Sequence, residues 1–482
     1  MKRLLRNPHT PFFLLAFAVM TVLTLPALIQ DGMFMDAVLY TSVSHNLSQD
    51  IGTCWFPQFS PRNLAIDGVN GFLEQPPLGY WIQSIFFKLF GSSMYVERFY
   101  TWLIMCVSAL LLVGIWRSLF EQKPELKRLS WLPLILWITI PVCFWSFSNN
   151  MLENTMGVFI LAAVLFACKA GSGKAEILNM VAAGFFVFLA SLTKGIPGFF
   201  PIAVPALWWL ITRKTTFVSA LKQTTIFVLV PAFIYIVLFM WPESHESLSQ
   251  YLFKRAFQRI GEAPNVGSHF YILFRLFSEL LPAMIFVSII FLIGGIKNIR
   301  ANISEHVRLS LFFISIGFAG SLPLMLTRVQ KGFYFVPSLP FFAVGFALLT
   351  APYIYRWMLR IKAGGQLQKI LVVFGFLLLA SALIFSFMQV GKTRRNTEML
   401  HDVYAIGKVV PLHTTVSVPD FETWNQWDLQ SYFMRYYNIS LDDQTQNRFL
   451  LIDRKLHQNT VSGYTRVPLE TYRYALYEKN SN

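Results

Sequence analysis

Charge is scarce in this chain. Asp, Glu, Lys and Arg together supply 13% of the 482 residues, where a soluble domain carries about a quarter. With 55% of residues hydrophobic and 47 phenylalanines, too little polar surface remains to cover a water-soluble core. A soluble globular protein is therefore excluded, and lipid is the required solvent. Cysteine is equally sparse. Cys54, Cys106, Cys143 and Cys168 lie far apart. No two have zinc-site spacing, and no disulfide framework follows. Internal repeats and low-complexity tracts are missing. The net charge of +15 does not indicate nucleic acid, because the basic residues form no single patch but fall in short clusters between apolar runs.

What is present is a succession of long apolar runs. A membrane span needs about 20 mostly apolar residues. That length predicts an α-helical polytopic membrane protein of about eleven spans, near residues 11–30, 97–117, 130–149, 153–169, 177–193, 196–212, 224–241, 270–296, 308–326, 333–352 and 369–390. The first run follows Lys2, Arg3 and Arg6. It is long for a signal-peptide core and many spans come after it, so a retained helix is expected. With the N-terminus in the cytoplasm, inner segments hold about twice as many Lys and Arg as outer ones. An odd number of spans then puts the tail outside. The segment lengths suit a bacterial inner membrane.

Two outer segments are long. The first, within 31–96, carries Asp31, Asp36, Asp50, Asp67 and Glu74. Met35 to Leu47 has the pattern of an amphipathic helix. Leu78 to Phe90 is apolar but too short to span, and fits a helix lying in the interface. The second runs from Pro242 to His269. From Gly391 the chain turns polar. Thr415–Val418 and Arg448–Asp453 read as strands, and Trp424–Tyr437 as a helix between them. The expected organisation is a transmembrane domain over 1–390 and a small α/β domain over 391–482 on the periplasmic face.

The spans are nearly free of charge, and ionisable residues collect at their outer ends. That favours a site at the outer membrane boundary over a midplane transport site. Asp36 directly follows the first span and is placed to accept a proton from, or orient, an acceptor hydroxyl; a helix cap or a solvated loop acid fits the same spacing. Glu153 sits in the turn between two spans and is a candidate acid–base or metal-holding carboxylate, or simply a first-turn acid favoured by the helix dipole. Lys194, within Thr193-Lys194-Gly195-Ile196-Pro197, is a candidate phosphate ligand or a snorkelling lysine. Lys254, Arg255, Arg259, Arg328 and Lys331 add outer positive charge that suits either a phosphate leaving group or ordinary headgroups. His45, His245 and His269 have no metal-site spacing.

Glu74-Gln75-Pro76-Pro77-Leu78-Gly79-Tyr80-Trp81 resembles the Pro-Pro-Leu-x-Tyr-Trp motif of the protein mannosyltransferase and aminoarabinose transferase-like membrane glycosyltransferases, in the glycosyltransferase C superfamily. Asp36-Ala37-Val38-Leu39-Tyr40 resembles the family's Asp-Glu-x-x-Tyr stretch. Leu89-Phe90-Gly91 and Arg98 follow at family spacing, Glu153 stands at its second acidic position, and Lys194-Gly195 resembles its Lys-Gly turn. The run from Lys331 through Tyr334 and Pro337 to Pro340 resembles its basic-aromatic-Pro segment. The ordered match covers about three quarters of the chain. The resemblance implies sugar transfer from a polyprenyl-phosphate donor to a lipid, glycan or protein acceptor on the periplasmic face, with inversion. Asp36 and Glu153 would be catalytic. Tyr40, Glu74, Gln75, Lys194, Arg255, Arg259, Lys331 and Tyr334 would bind substrate. No cofactor is implied beyond a candidate divalent cation at Glu74 and Glu153. Ala37, Leu39 and Gln75 stand where aminoarabinose transferases tend to carry acid, arginine and lysine. Those changes remove charge near the donor phosphate and count against aminoarabinose transfer to lipid A, not against sugar transfer. The rival readings are a flippase for a lipid-linked sugar and an oligosaccharide ligase.

Overall fold

A computed structural model describes residues 7–62, 71–171, 173, 175–258, 264–294, 303–457 and 462–480. Among them, nine helices are long and apolar enough to cross a membrane, or ten if one bent pair counts as a span. This is fewer than the composition suggests, and proline explains the difference. The expected span 130–149 breaks after Ile138, and Pro141, which has no N–H to continue the ladder, opens a second helix, Pro141–Ser148, bent 79° from the first. The expected span 196–212 contains Pro197, Pro201 and Pro205. It forms a 3₁₀ stretch, Ile196–Ala203, one α turn and a wide π turn, Trp208–Thr212, and is too short to count.

By its contacts the chain divides into two compact units, Met1–Leu28 with Thr101–Gln389, and Ile29–Tyr100 with Val390–Asn482. The first is a helical membrane bundle. Leu152–Gly171 and Gly332–Met358 are its most enclosed spans, with 72% and 78% of their apolar windows buried. Phe217–Phe239 and Gln366–Phe387 are the least enclosed, at 17% and 22%. They present Leu229, Phe233, Ile236, Leu377 and Ile384 outward, as helices facing hydrocarbon do.

The second unit holds the first long segment between spans and the tail. Met35–Ser48 is helical, but Asp36 through Leu47 are all buried, so the helix is enclosed and not amphipathic. Leu78–Phe90 buries one stripe, Tyr80, Gln83, Ser84 and Phe87, and leaves Ile85, Leu89 and Phe90 exposed. That is the division an interfacial helix needs. The tail forms a five-stranded mixed sheet in the order β2-β1-β3-β5-β4, with β1 Thr415–Ser417, β2 Ser440–Asp442, β3 Phe449–Asp453, β4 Tyr464–Arg466 and β5 Tyr474–Lys479. β1 pairs in parallel with β2 and β3, and β5 runs antiparallel to β3 and β4. The helix Trp427–Tyr437 makes the crossover from β1 to β2.

Four buried charges knit this unit together. Glu97 pairs with Arg435 at 2.7 Å, and Arg435 also donates to the carbonyls of Ser92 and Ser93. Arg98 lies 3.4 Å from Glu97 and 3.6 Å from Asp31. Asp31 accepts hydrogen bonds from the hydroxyls of Tyr404 and Tyr436, the latter at 2.7 Å. Burial and then the Asp31 charge push the Tyr404 phenol up, so it stays protonated and donates. Two acids thus meet two arginines, and the quartet as a set is neutral.

Breaking one buried pair strands its partner and costs about 3–5 kcal/mol. Arg435→Met is expected to lower the thermal midpoint of purified protein sharply, and Glu97→Gln added to it should recover much of the loss. A midpoint unmoved by Arg435→Met would show the pair to be dispensable. His45 in the buried helix gives a pH dependence. Burial, then the charges of Arg435 and His413, lower its pKa from 6.5 to about 3. The folded state therefore binds fewer protons than the unfolded one. The stability from His45 is present in full above pH 6.5 and is lost as pH falls toward 3. Between pH 7 and 5 the loss should be about 2 kcal/mol, and His45→Gln should flatten that part of the melting-temperature profile.

Candidate active site

In the membrane unit the site is built by two consecutive helices that turn back on each other. Asn150 adopts a left-handed conformation, φ 49°, just before the helix Leu152–Gly171. Glu153 falls in its first turn and is fully buried. The next helix, Glu176–Lys194, stops at Lys194 because Gly195 takes φ 76°, which side chains disfavour, and Pro197 follows. Antiparallel packing brings the start of one helix to the end of the other. Lys194 Nζ lies 2.7 Å from Glu153 Oε1, each group held where its helix dipole favours its charge.

An aromatic ring lies beside this pair. The Tyr334 ring lies 5.8 Å from Lys194 Nζ, in cation–π range. Three residues earlier, Lys331 Nζ is 5.7 Å from the Phe333 ring. A β-carbon at Gly195 would overlap the Tyr251 hydroxyl. Tyr251 opens the π-helical turn Tyr251–Ala256, which carries Lys254 and the half-buried Arg255. Irregular turns of this kind concentrate at functional sites. Arg259 lies outside the described residues.

In the other unit, Asp36 is buried in the first turn of Met35–Ser48, with Tyr40 one turn on. The Tyr40 ring packs 6.0 Å from Tyr80 and 6.5 Å from Phe72. Gln75 is buried and Glu74 half-buried, just before the two prolines that lead into Leu78–Phe90. Glu153, Lys194 and Tyr334 therefore come together in the bundle, while Asp36, Tyr40, Glu74 and Gln75 belong to the second unit. No three Asp, Glu, His or Cys side chains gather as a metal site among the described residues. Glu153, committed to Lys194, does not fit a cation cage by itself.

One constellation was not read from the sequence. Glu279 lies inside the span Tyr271–Gly294 and is 3% exposed. Its carboxylate accepts the Val142 N–H at 2.7 Å, capping the second arm of the bent pair, and pairs with Arg275 at 2.6 Å. The spans are thus not as charge-free as their average apolarity suggests. An acid well inside a run of 24 residues was the available signal. Gln330 joins the same corner. Its side chain accepts the Ile272 N–H and donates to the carbonyls of His269 and Thr327.

Comparison with known proteins gives a consistent result. Residues 74–241 match the sequence profile of the dolichyl-phosphate-mannose-protein mannosyltransferase family. Two undecaprenyl phosphate-alpha-4-amino-4-deoxy-L-arabinose arabinosyl transferases of Proteus mirabilis are similar, 24% identical over 139 residues and 28% identical over 152. The matched stretch is 28% or 29% of this chain and spans about a quarter of those relatives, 24% and 25%. The fold is similar to that of ArnT from Cupriavidus metallidurans crystallised with undecaprenyl phosphate, with a TM-score of 0.62 and 14% identity over 97% of both chains. It is also similar to an Archaeoglobus fulgidus oligosaccharyltransferase, with a TM-score of 0.53 and 14% identity over 90% of this chain and 61% of that one. The family resemblance and the polytopic fold with a small tail domain are borne out.

The Gly195 corner is testable. Gly195→Ala should force Tyr251 aside and destabilise the protein by about 1–3 kcal/mol, measured by thermal unfolding in detergent. Tyr251→Ala in the same background should recover the steric part and leave the cost of the left-handed backbone. A Gly195→Ala protein as stable as the native one would contradict the packing.

Proposed function

We propose that this chain is a glycosyltransferase of the outer membrane face, moving one sugar from a polyprenyl-phosphate donor to a hydroxyl of a lipid, glycan or protein acceptor. The observation that carries this reading is the buried Glu153–Lys194 pair seated against Tyr334 at the meeting ends of two spans. Support also comes from the motif order around Asp36 and Pro76-Pro77, and from the similarity over 74–241. The orientation that agrees with the charge bias has the N-terminus in the cytoplasm and the tail in the periplasm of a bacterial inner membrane.

The chemistry is a single displacement at the anomeric carbon. The acceptor oxygen forms its bond to that carbon as the bond from carbon to the phosphate oxygen breaks, and the configuration inverts. The electron pair leaves with the polyprenyl phosphate, and the acceptor proton passes to Asp36. Lys194, Arg255 and Lys331 meet the charge that grows on the departing phosphate. Arg259 is a further candidate for the same task. Glu153 holds Lys194 in place, and Tyr334 supplies its aromatic seat. Tyr40, Glu74 and Gln75 contact the sugar or the acceptor.

The test is transfer from radiolabelled polyprenyl-phosphate sugars in proteoliposomes. Native protein should consume donor, and Asp36→Asn should slow turnover by roughly 10²–10⁴-fold with insertion and folding intact. Movement of lipid-linked sugar between leaflets, undiminished by the substitution and without transfer from any donor in a broad panel, would sink this reading in favour of a flippase.

A further inference from the structure

The bent pair of helices that leads to Glu153 is held at its break by a neighbouring span. Pro141 has no N–H and the preceding Ile140 has no side-chain acceptor, so Pro141–Ser148 begins without a cap of its own. The Cys143 N–H reaches the Ile140 carbonyl at 3.0 Å. The Val142 N–H is met at 2.7 Å by Glu279 Oε2, from the span Tyr271–Gly294. The other carboxylate oxygen, Oε1, takes Arg275 at 2.6 Å. Seven residues before Glu279, two turns back on the same buried face, the Ile272 N–H donates to the Gln330 side chain at 2.9 Å. One span therefore sets two starting points, that of Pro141–Ser148 and that of the segment from Gln330 to Tyr334.

Pro141–Ser148 carries this placement to the Glu153–Lys194 pair. Its eight residues make a rod of about 12 Å. In its last turn Ser146 Oγ lies 2.9 Å from Asn154 Oδ1, beside Glu153, and the Ser146 carbonyl accepts the Met151 N–H at 3.3 Å. On its flank the Trp145 ring stacks on Phe333, with centroids 5.8 Å apart and planes inclined by 23°. Phe333 adjoins Tyr334, whose ring seats Lys194. A shift at the start of this short helix is thus passed to Glu153 through the last turn and to the seat of Lys194 through Trp145. A misplacement of about 1 Å can cost on the order of a hundredfold in rate.

We propose that Glu279 is a positioning residue for sugar transfer: by capping Pro141–Ser148 from another span, it fixes where Glu153, Lys194 and the Tyr334 ring meet. The proposal rests on the transferase reading above. It makes reach, not charge, the property that matters. Glu279→Gln keeps an acceptor at the same reach from Val142, and Arg275, 48% exposed, remains hydrated. Glu279→Asp keeps the charge but is one methylene shorter. Full-length protein in detergent is labelled with 5-fluorotryptophan, and the Trp145 fluorine signal is assigned with Trp145→Phe. Donor turnover is measured in proteoliposomes. Glu279→Asp should shift the Trp145 signal and lower kcat roughly tenfold to a hundredfold, with the donor KM unmoved. Glu279→Gln should hold the signal in place and recover most of the kcat. The reverse order, Glu279→Gln impaired and Glu279→Asp native-like, makes the charge facing Arg275 the function of Glu279 and overturns the proposal. An unmoved Trp145 signal in Glu279→Asp overturns it, and so does a moved signal with kcat unchanged. Equal losses in both variants with lowered thermal midpoints make the residue structural only. Absence of transfer by native protein from every donor would remove the transferase reading, and the Trp145 signals would still decide whether Glu279 holds the helix.

Discussion

An ionised group withdrawn from water must meet its opposite, and both units are arranged around that requirement. In the bundle, Glu153 meets Lys194 and Glu279 meets Arg275. In the second unit, Asp31 and Glu97 meet Arg98 and Arg435. The consequences for the chain differ. Of the bundle pairs, Glu153–Lys194 joins the ends of two helices, whereas Arg275 and Glu279 lie one turn apart on the same helix. The second-unit quartet joins segments far apart in sequence, and makes the loop within 29–100 and the tail parts of one core. A buried ion pair is weak as a source of stability, but a mismatch is strongly penalised. Such pairs fix one arrangement more than they deepen it.

Much of this was legible in the sequence. Apolar run length alone located the spans, because twenty residues of low polarity have few other uses. Helices at 78–90 and 427–437 and strands at 415–417 and 449–453 also followed from local pattern. What ran out was the effect of proline within apolar stretches. Hydropathy does not see that Pro141 bends one segment, or that Pro197, Pro201 and Pro205 shorten another. β2, β4 and β5 were not read from the sequence.

The site was legible in part, for a similar reason. Lys194 stood out because a lysine beside glycine and proline at a span end is unusual, and Glu153 because a short turn fixes its depth. Their mutual contact depends on antiparallel packing, which spacing does not give. Glu279 was hidden by the averaging that finds spans. Arg275, on the same helix four residues earlier, looked like an ordinary outer-end cation until its pairing with Glu279 was known. Sequence reports which side chains are chemically able; packing decides which of them share a task.

The distance along the chain between Glu97 and Arg435 has a consequence for biosynthesis. They are separated by 338 residues, and ribosomes add about 5–20 residues per second. For roughly 20 to 70 seconds after Glu97 emerges, its partner does not yet exist. The loop that holds Glu97 therefore cannot reach its final form before residue 435 has been made. It must wait, hydrated or held by a chaperone, until the last spans and the tail helix that carries Arg435 have been made. A chain halted before residue 435 would have a membrane bundle and a loop whose two acids, Asp31 and Glu97, share the single arginine Arg98, a ready mark by which quality control could tell unfinished molecules from finished ones.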